Sequence, residues 1–383
     1  MSTAIPKIAS VPKSTSTFLD LLRVMAALVV FIYHCQLVWY HEGSSRSGQE
    51  AVIVFFVLSG YVIAFSTLSK HRDTKNYTIA RLARLYSVVA PALVLTLLIH
   101  LAVARFHLQS YHVDPRSNSL IRYVLAALFL QETWKLSASP PTNAPFWSLG
   151  YEFWYYALFG AAVLLPTRRV KVIVVLVIVL IAGLKILLLM PIWLFGVAAF
   201  SYRQKSELNP MLAQTGFLVS VFALMWAFKS LPPYPSSAGL APLYYSSSFL
   251  SDWIVGGIVA LLIWLFDQAF AHKSVPYLLS NSLRWGANHT FSLYLYHFPL
   301  IVLALAVLPI NFHNPINAAV LLSVILALVL ALSTFTEAKR SLWYNIFSTA
   351  WDKLSGLSRQ SDLHLDNITT PDKTEAVKDG PKI

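Results

Sequence analysis

Phe18-Leu-Asp-Leu-Leu-Arg23-Val-Met-Ala-Ala-Leu-Val-Val-Phe-Ile-Tyr-His34 opens an apolar stretch that runs on to Tyr40 and holds acidic, basic or imidazole side chains only at Asp20, Arg23 and His34. About twenty apolar residues cross a bilayer as one helix, because in hydrocarbon every backbone N–H and C=O must be paired within its own segment. Residues 1–17 before it are mostly polar, and no small-residue cleavage pattern follows it. The stretch therefore reads as a retained first membrane helix, not a removed signal peptide.

Comparable runs recur as far as Trp351, and 57% of the 383 residues are hydrophobic against 12% charged, so the chain belongs mainly in lipid. The formal net charge of +12 does not point to nucleic acid. Its Lys and Arg residues fall in short clusters between apolar runs, the pattern that sets membrane topology. Cys35 is the only cysteine, which excludes an intrachain disulfide. No ligand cluster for a metal is evident.

Eleven apolar segments fall at about 18–40, 50–68, 79–104, 119–131, 147–166, 171–189, 191–201, 212–228, 249–270, 289–309 and 316–336. The fourth, as a helix, spans only about 20 Å of a core of about 30 Å. If it enters and returns on the same side, one face receives Lys7 and Lys13, the group from Lys70 to Arg84, Arg168 with Arg169 and Lys171, Arg203 with Lys205, Lys273 with Arg284, and Lys339 with Arg340. The expected fold is all-α and polytopic, with about ten transmembrane helices, one short re-entrant segment and both termini cytoplasmic. From Asp352 the composition predicts a disordered tail over 352–383.

Ionisable groups within a membrane need a partner or a purpose. Arg23 and His34 are eleven residues apart, three helical turns, so they share a face about 16 Å apart along the axis. Asp20 is placed to pair with Arg23. The same three residues also fit a snorkelling pair and a hydrogen-bonded packing histidine. Arg81 and Arg84, three apart at a helix start, form a fork suited to phosphate, or serve topology alone. In Phe146-Trp147-Ser148-Leu-Gly-Tyr-Glu152, Ser148 and Glu152 share a face at the depth expected for His34, where a carboxylate would orient the imidazole. An interfacial aromatic belt with a rim carboxylate fits that stretch equally. His297, in Ser292-Leu-Tyr-Leu-Tyr-His297, is a second imidazole near mid-membrane, and Cys35 lies about 100° round the helix from His34.

Taken in order, Arg23-x10-His34, Phe55-Phe-Val-Leu-Ser-Gly-Tyr61, Arg81-x-x-Arg84 with Tyr86, Phe146 to Glu152, and Ser292 to His297 resemble membrane acyltransferase family 3, over about Phe18 to Trp343. Members of that family acylate surface polysaccharides, peptidoglycan, Nod factors and some antibiotics. Two departures stand out. Where the family often has an acidic residue two positions before the double Phe, this chain has Ile53, with Glu50 nearby, and the sequence shows no fused extracytoplasmic hydrolase-like domain.

The resemblance implies a membrane acyltransferase domain over 18–343 in the bacterial inner membrane, after a cytoplasmic segment at 1–17. The donor implied is acyl-CoA, usually acetyl-CoA, with its phosphates near Arg81 and Arg84 and Arg23 along its channel; no permanently bound cofactor is implied. The acceptor implied is a hydroxyl of a carbohydrate or glycolipid, and a separate extracytoplasmic partner is left open. His34 would be the general base, or an acylated nucleophile, supported by Glu152 or Asp20. Ser148, Trp147 and His297 would contact the acceptor. Two competitors are a secondary transporter, against which the absence of related halves counts, and a non-catalytic membrane partner of a glycan-assembly complex.

Overall fold

The computed structural model describes residues 10–40, 46–69, 73–106, 119–203, 208–237, 239–308 and 313–369. In chain order the helices are α1 (Lys13–Tyr40), α2 (Ser47–Ser69), α3 (Thr74–Arg105), α4 (Ser119–Ala127), α5 (Trp147–Leu164), α6 (Arg168–Ala182) and α7 (Leu184–Tyr202). They continue with α8 (Pro210–Ser230), α9 (Phe249–Phe270), α10 (Tyr277–Ala287), α11 (Thr290–Val307), α12 (Pro315–Phe335) and α13 (Arg340–Thr369). Among the described residues there is no strand, only one isolated bridge.

Eight helices are long and apolar enough to cross a membrane: α1, α2, α3, α7, α8, α9, α11 and α12. The other two of the expected ten are α5, of 18 residues and rich in Trp and Tyr, and α6, of 15 residues. At about 1.5 Å per residue α6 reaches only about 22 Å. Its exposed Val172, Ile173, Leu176, Val177 and Leu180 nevertheless need an apolar surrounding. The chain is an integral membrane protein.

The short fourth segment does turn back. Near its far end Tyr86 donates to the Ala127 carbonyl (2.7 Å), while on the return Asn143 Nδ2 donates to Thr96 Oγ1 (3.0 Å). Tyr86 and Thr96 are ten residues apart on α3, so the chain comes back about 15 Å along it. Lys185 pins this segment with a buried ion pair to Glu132 (2.5 Å) and a bond to the Leu136 carbonyl. A charge buried in such a place requires a partner of this kind.

Two expected boundaries are corrected. The helices expected to part between 189 and 191 part at Gly183 instead, whose φ of +80° only glycine adopts readily. Pro191 is absorbed into α7, so the short segment expected at 191–201 is part of a 19-residue helix. The tail expected to be disordered from Asp352 continues as α13 to Thr369; residues 370–383 lie outside the described residues. Composition missed this helix because what orders it lies on a distant helix, α3: Trp343 and Phe347, four apart, lie against Tyr86 at 5.9 and 5.5 Å, and Asp352 pairs with Lys75 at 2.6 Å.

Helix α2 runs through the middle of the bundle. Its Gly60 lies against the Trp193 carbonyl and Gly196 of α7 against the Val57 carbonyl, so close that an added Cβ would meet each oxygen at 1.9 Å. Backbone contact between two helices through small residues is how membrane helices gain packing without a hydrophobic driving force. Side chains tie one set of helix ends together: Thr15 to Asp267 (2.5 Å), Arg203 to the Ser10 carbonyl (3.2 Å), Arg284 to Asp20 (2.6 Å) and Tyr344 to Asn76 (2.9 Å). Lys13, Arg81, Arg84, Arg203, Arg284 and Arg340 therefore gather at one end of the bundle, as expected. Lys7, Lys70, Arg72 and Lys205 lie outside the described residues.

Candidate active site

Helices α1, α2, α3, α5 and α11, with the first residue of α13, enclose a cavity of about 310 Å³. Along α2 its wall runs from Val52 to Ser66, fourteen residues or about 21 Å. One end is cationic: Arg23, Arg81, Arg84 and Arg340 line it, against Glu152 as the only lining carboxylate among the described residues. The other end is apolar, walled by Val52, Phe55, Phe56 and Leu149, and is bounded by Ser148 and Tyr294.

Arg23 lies 4.0 Å from Asp20, and Glu152, Glu337 and Tyr156 act on Arg84. Arg81 is buried, donates to Ser66 Oγ (3.2 Å) and lies over the Tyr77 ring (5.5 Å). Arg84 lies over the Phe291 ring (5.6 Å), and Arg340 donates to the Ala80 carbonyl (3.3 Å). Glu152 is already occupied, accepting from Ser59 Oγ (2.8 Å) and from Tyr156 OH. The next carboxylate, Glu337, accepts from Ser292 N and Oγ at 3.2 and 2.9 Å. Four guanidiniums thus face the cavity, with Glu152 in its lining and Asp20 and Glu337 beside it, a net positive charge that a polyanion would neutralise.

Arg23 and His34 both face α11, as their spacing requires. Arg23 shares the cavity wall with Thr290 and Phe291, whereas His34 does not line the cavity and meets His297. His34 Nδ1 is 2.9 Å from the Val30 carbonyl and 3.1 Å from His297 Nε2; His297 Nδ1 is 2.7 Å from the Leu293 carbonyl. His297 is fully buried. Tyr294, one turn before it, donates to the Pro145 carbonyl (2.9 Å), so Ser148 must donate to Tyr294 (2.8 Å). The Tyr294 and His297 ring centres are 6.4 Å apart. The cavity stops about one helical turn short of the histidine pair.

Several expected contacts are replaced. Glu152 does not support His34: it lies a turn beyond Ser148 along α5, toward the arginines, and a second histidine occupies the place expected for it. Asp20 bonds mainly to Arg284 (2.6 Å), with Arg23 at 4.0 Å. Trp147 does not line the cavity and stacks on Tyr245 at 4.3 Å. Cys35 is buried in the core. The residues not anticipated in these roles are Ser59 and Tyr294, which lie inside the motif blocks, Tyr156, one helical turn past Glu152, and Arg340, whose only sequence signal was its charge beside Lys339.

The family profile described as "Acyltransferase domain" (Acyl_transf_3) matches residues 16–336. The chain belongs to acyltransferase family 3. As a family member it is 21% identical to the peptidoglycan O-acetyltransferase OatA of Listeria monocytogenes, over 88% of this chain and 57% of that protein. It is 24% identical to YrhL of Bacillus subtilis, provisionally named for the same activity, over 82% of this chain and 52% of YrhL. It is also 26% identical to SACOL0978 of Staphylococcus aureus, provisionally named an O-acetyltransferase, over 74% of this chain and 50% of that protein. The chain spans about half the length of these relatives. No solved structure matches it significantly.

The two ends of the site differ in what they can do chemically. Guanidiniums recognise phosphate oxygens through directed, charge-assisted hydrogen bonds. An imidazole with a free nitrogen moves protons or attacks a carbonyl. Among the described residues His34 Nε2 has no hydrogen-bond partner.

Proposed function

We propose that this acyltransferase moves an acyl group, acetyl in the first instance, from acyl-CoA to a hydroxyl of a cell-surface or exported glycan. The observation that carries the reading is a cavity with four arginines at one end and, a turn beyond its other end, a histidine pair. In this reading the phosphates of the coenzyme meet Arg81, Arg84, Arg23 and Arg340, and the α2 wall, apolar but for Ser59 and Ser66, suits its pantetheine arm. The thioester passes Tyr294 and Ser148 to reach His34. The acceptor hydroxyl gives its proton to His34 Nε2 as its oxygen attacks the thioester carbonyl; the ester forms, the C–S bond breaks, and His34 returns the proton to the departing thiolate.

The arginine end then faces the cytoplasm of a bacterial inner membrane, where acyl-CoA is made, and carries the N- and C-terminal segments. A carbohydrate or glycolipid, alone or presented by a separate extracytoplasmic partner, approaches from the opposite end. Mass spectrometry of the host's surface glycans, with and without the gene and with His34→Ala, tests the proposal. Loss of O-acyl groups in both strains is expected. An unchanged acylation pattern, or full acylation by a folded His34→Ala protein, would falsify it.

A further inference from the structure

We infer that His297 is the positioning residue of His34, taking the place that a carboxylate holds in other imidazole-base sites; the inference rests on the function proposed above. It follows from which atoms can donate. A backbone carbonyl only accepts, so His297 Nδ1, 2.7 Å from the Leu293 carbonyl, carries its hydrogen and the neutral ring keeps a lone pair on Nε2. The Val30 carbonyl likewise places a hydrogen on His34 Nδ1 (2.9 Å), and that N–H is shared with His297 Nε2 at 3.1 Å. The two rings thus form one chain, running from His34 Nδ1–H to His297 Nε2 and from His297 Nδ1–H to the Leu293 carbonyl. Its direction leaves the His34 Nε2 lone pair free.

When His34 takes a proton at Nε2, its Nδ1–H becomes a stronger donor and His297 Nε2 accepts part of the new charge. Among the described residues neither ring touches a carboxylate. Val30 sits one turn before His34 on its own helix and cannot by itself stop the ring from swinging, whereas His297 grips it from α11. Phe31 and Phe298 pack against the pair at 5.8 and 5.1 Å and hold the rings in place. Orienting partners of this kind are typically worth about 10- to 100-fold in activity.

The test uses the full chain in lipid nanodiscs, with radiolabelled acetyl-CoA as donor and washed host cell envelopes as acceptor. His34→Ala, His297→Leu and His297→Gln are compared with wild type after each is shown by thermal unfolding to be folded. Gln offers an amide oxygen where His297 Nε2 stood; Leu offers nothing. The expected result is that His297→Leu lowers kcat about 10- to 100-fold with the KM for acetyl-CoA unchanged, and that His297→Gln recovers most of the loss. If His34→Ala abolishes transfer while His297→Leu matches wild type, the inference falls and the proposed function stands. Equal loss in the Leu and Gln variants, or a raised KM with kcat intact, also overturns it, as a packing or binding role. Transfer retained by His34→Ala, or none by wild type, removes the proposed function itself and the inference with it.

Discussion

Arg340 adds a guanidinium to the cavity from outside the matched family segment, which ends at residue 336. Replacing it with Met removes one charged donor from a site that holds few counter-charges. A charge-assisted hydrogen bond is worth about 1.5–3 kcal/mol, so coenzyme A should bind about 10- to 100-fold more weakly to Arg340→Met, as to Arg84→Met, by calorimetry on purified protein. Binding of pantetheine, which has no phosphate, should not change. Equal weakening for both ligands would mean that Arg340 acts by shaping the cavity. Sequence alone made Arg23, Arg81, Arg84 and His34 legible, because each sits in a short local pattern. The pairing of His34 with His297 was not, since it joins residues 263 apart in the chain. Glu152 was misplaced because a shared helical face says nothing of depth relative to another helix.

At the scale of elements, a buried ion pair is one of the contacts that hold the re-entrant segment. Lys185 is 1% and Glu132 0% exposed, and removing Lys185 leaves the Glu132 carboxylate buried with, among the described residues, only Ser137 (3.4 Å) donating to it. Lys185→Met should cost about 3–5 kcal/mol and lower the thermal unfolding midpoint in detergent, while the double change Lys185→Met with Glu132→Gln should recover part of that loss. A double variant less stable than the single one would mean the pair is not what holds the segment. The contact of α2 with α7 is equally specific: a side chain at Gly196 meets the Val57 carbonyl, which cannot move without moving α2. Gly196→Val should therefore destabilise by about 1–3 kcal/mol or prevent assembly, whereas Gly257→Val, with open space around it, should be neutral. Hydrophobic runs made the helices readable, but not where α6 gives way to α7. That junction rests on the backbone of Gly183, and Pro191 is the louder signal in the sequence. Nor did composition reveal α10, whose 11 residues lie along α1 through Arg284 rather than forming an apolar run.

Across the whole molecule, the clustering of basic helix ends makes orientation a single binary choice. Helix α8 ends at Ser230 and α9 ends at Phe270, so an exposed residue just past each lies at opposite ends of the bundle. In the proposed orientation Lys273 is cytoplasmic and Ser230 extracytoplasmic. Cys35, the only native cysteine, is 3% exposed, so the wild-type chain supplies a quiet background for thiol labelling. A membrane-impermeant maleimide applied to intact cells stripped of their outer barrier should label Ser230→Cys and not Lys273→Cys; after lysis both should react. The reverse pattern would put the four arginines on the outside, where acyl-CoA is absent. A coenzyme could then not load the cavity from its cationic end, and the route from phosphate site to histidine pair would have to run in the opposite direction.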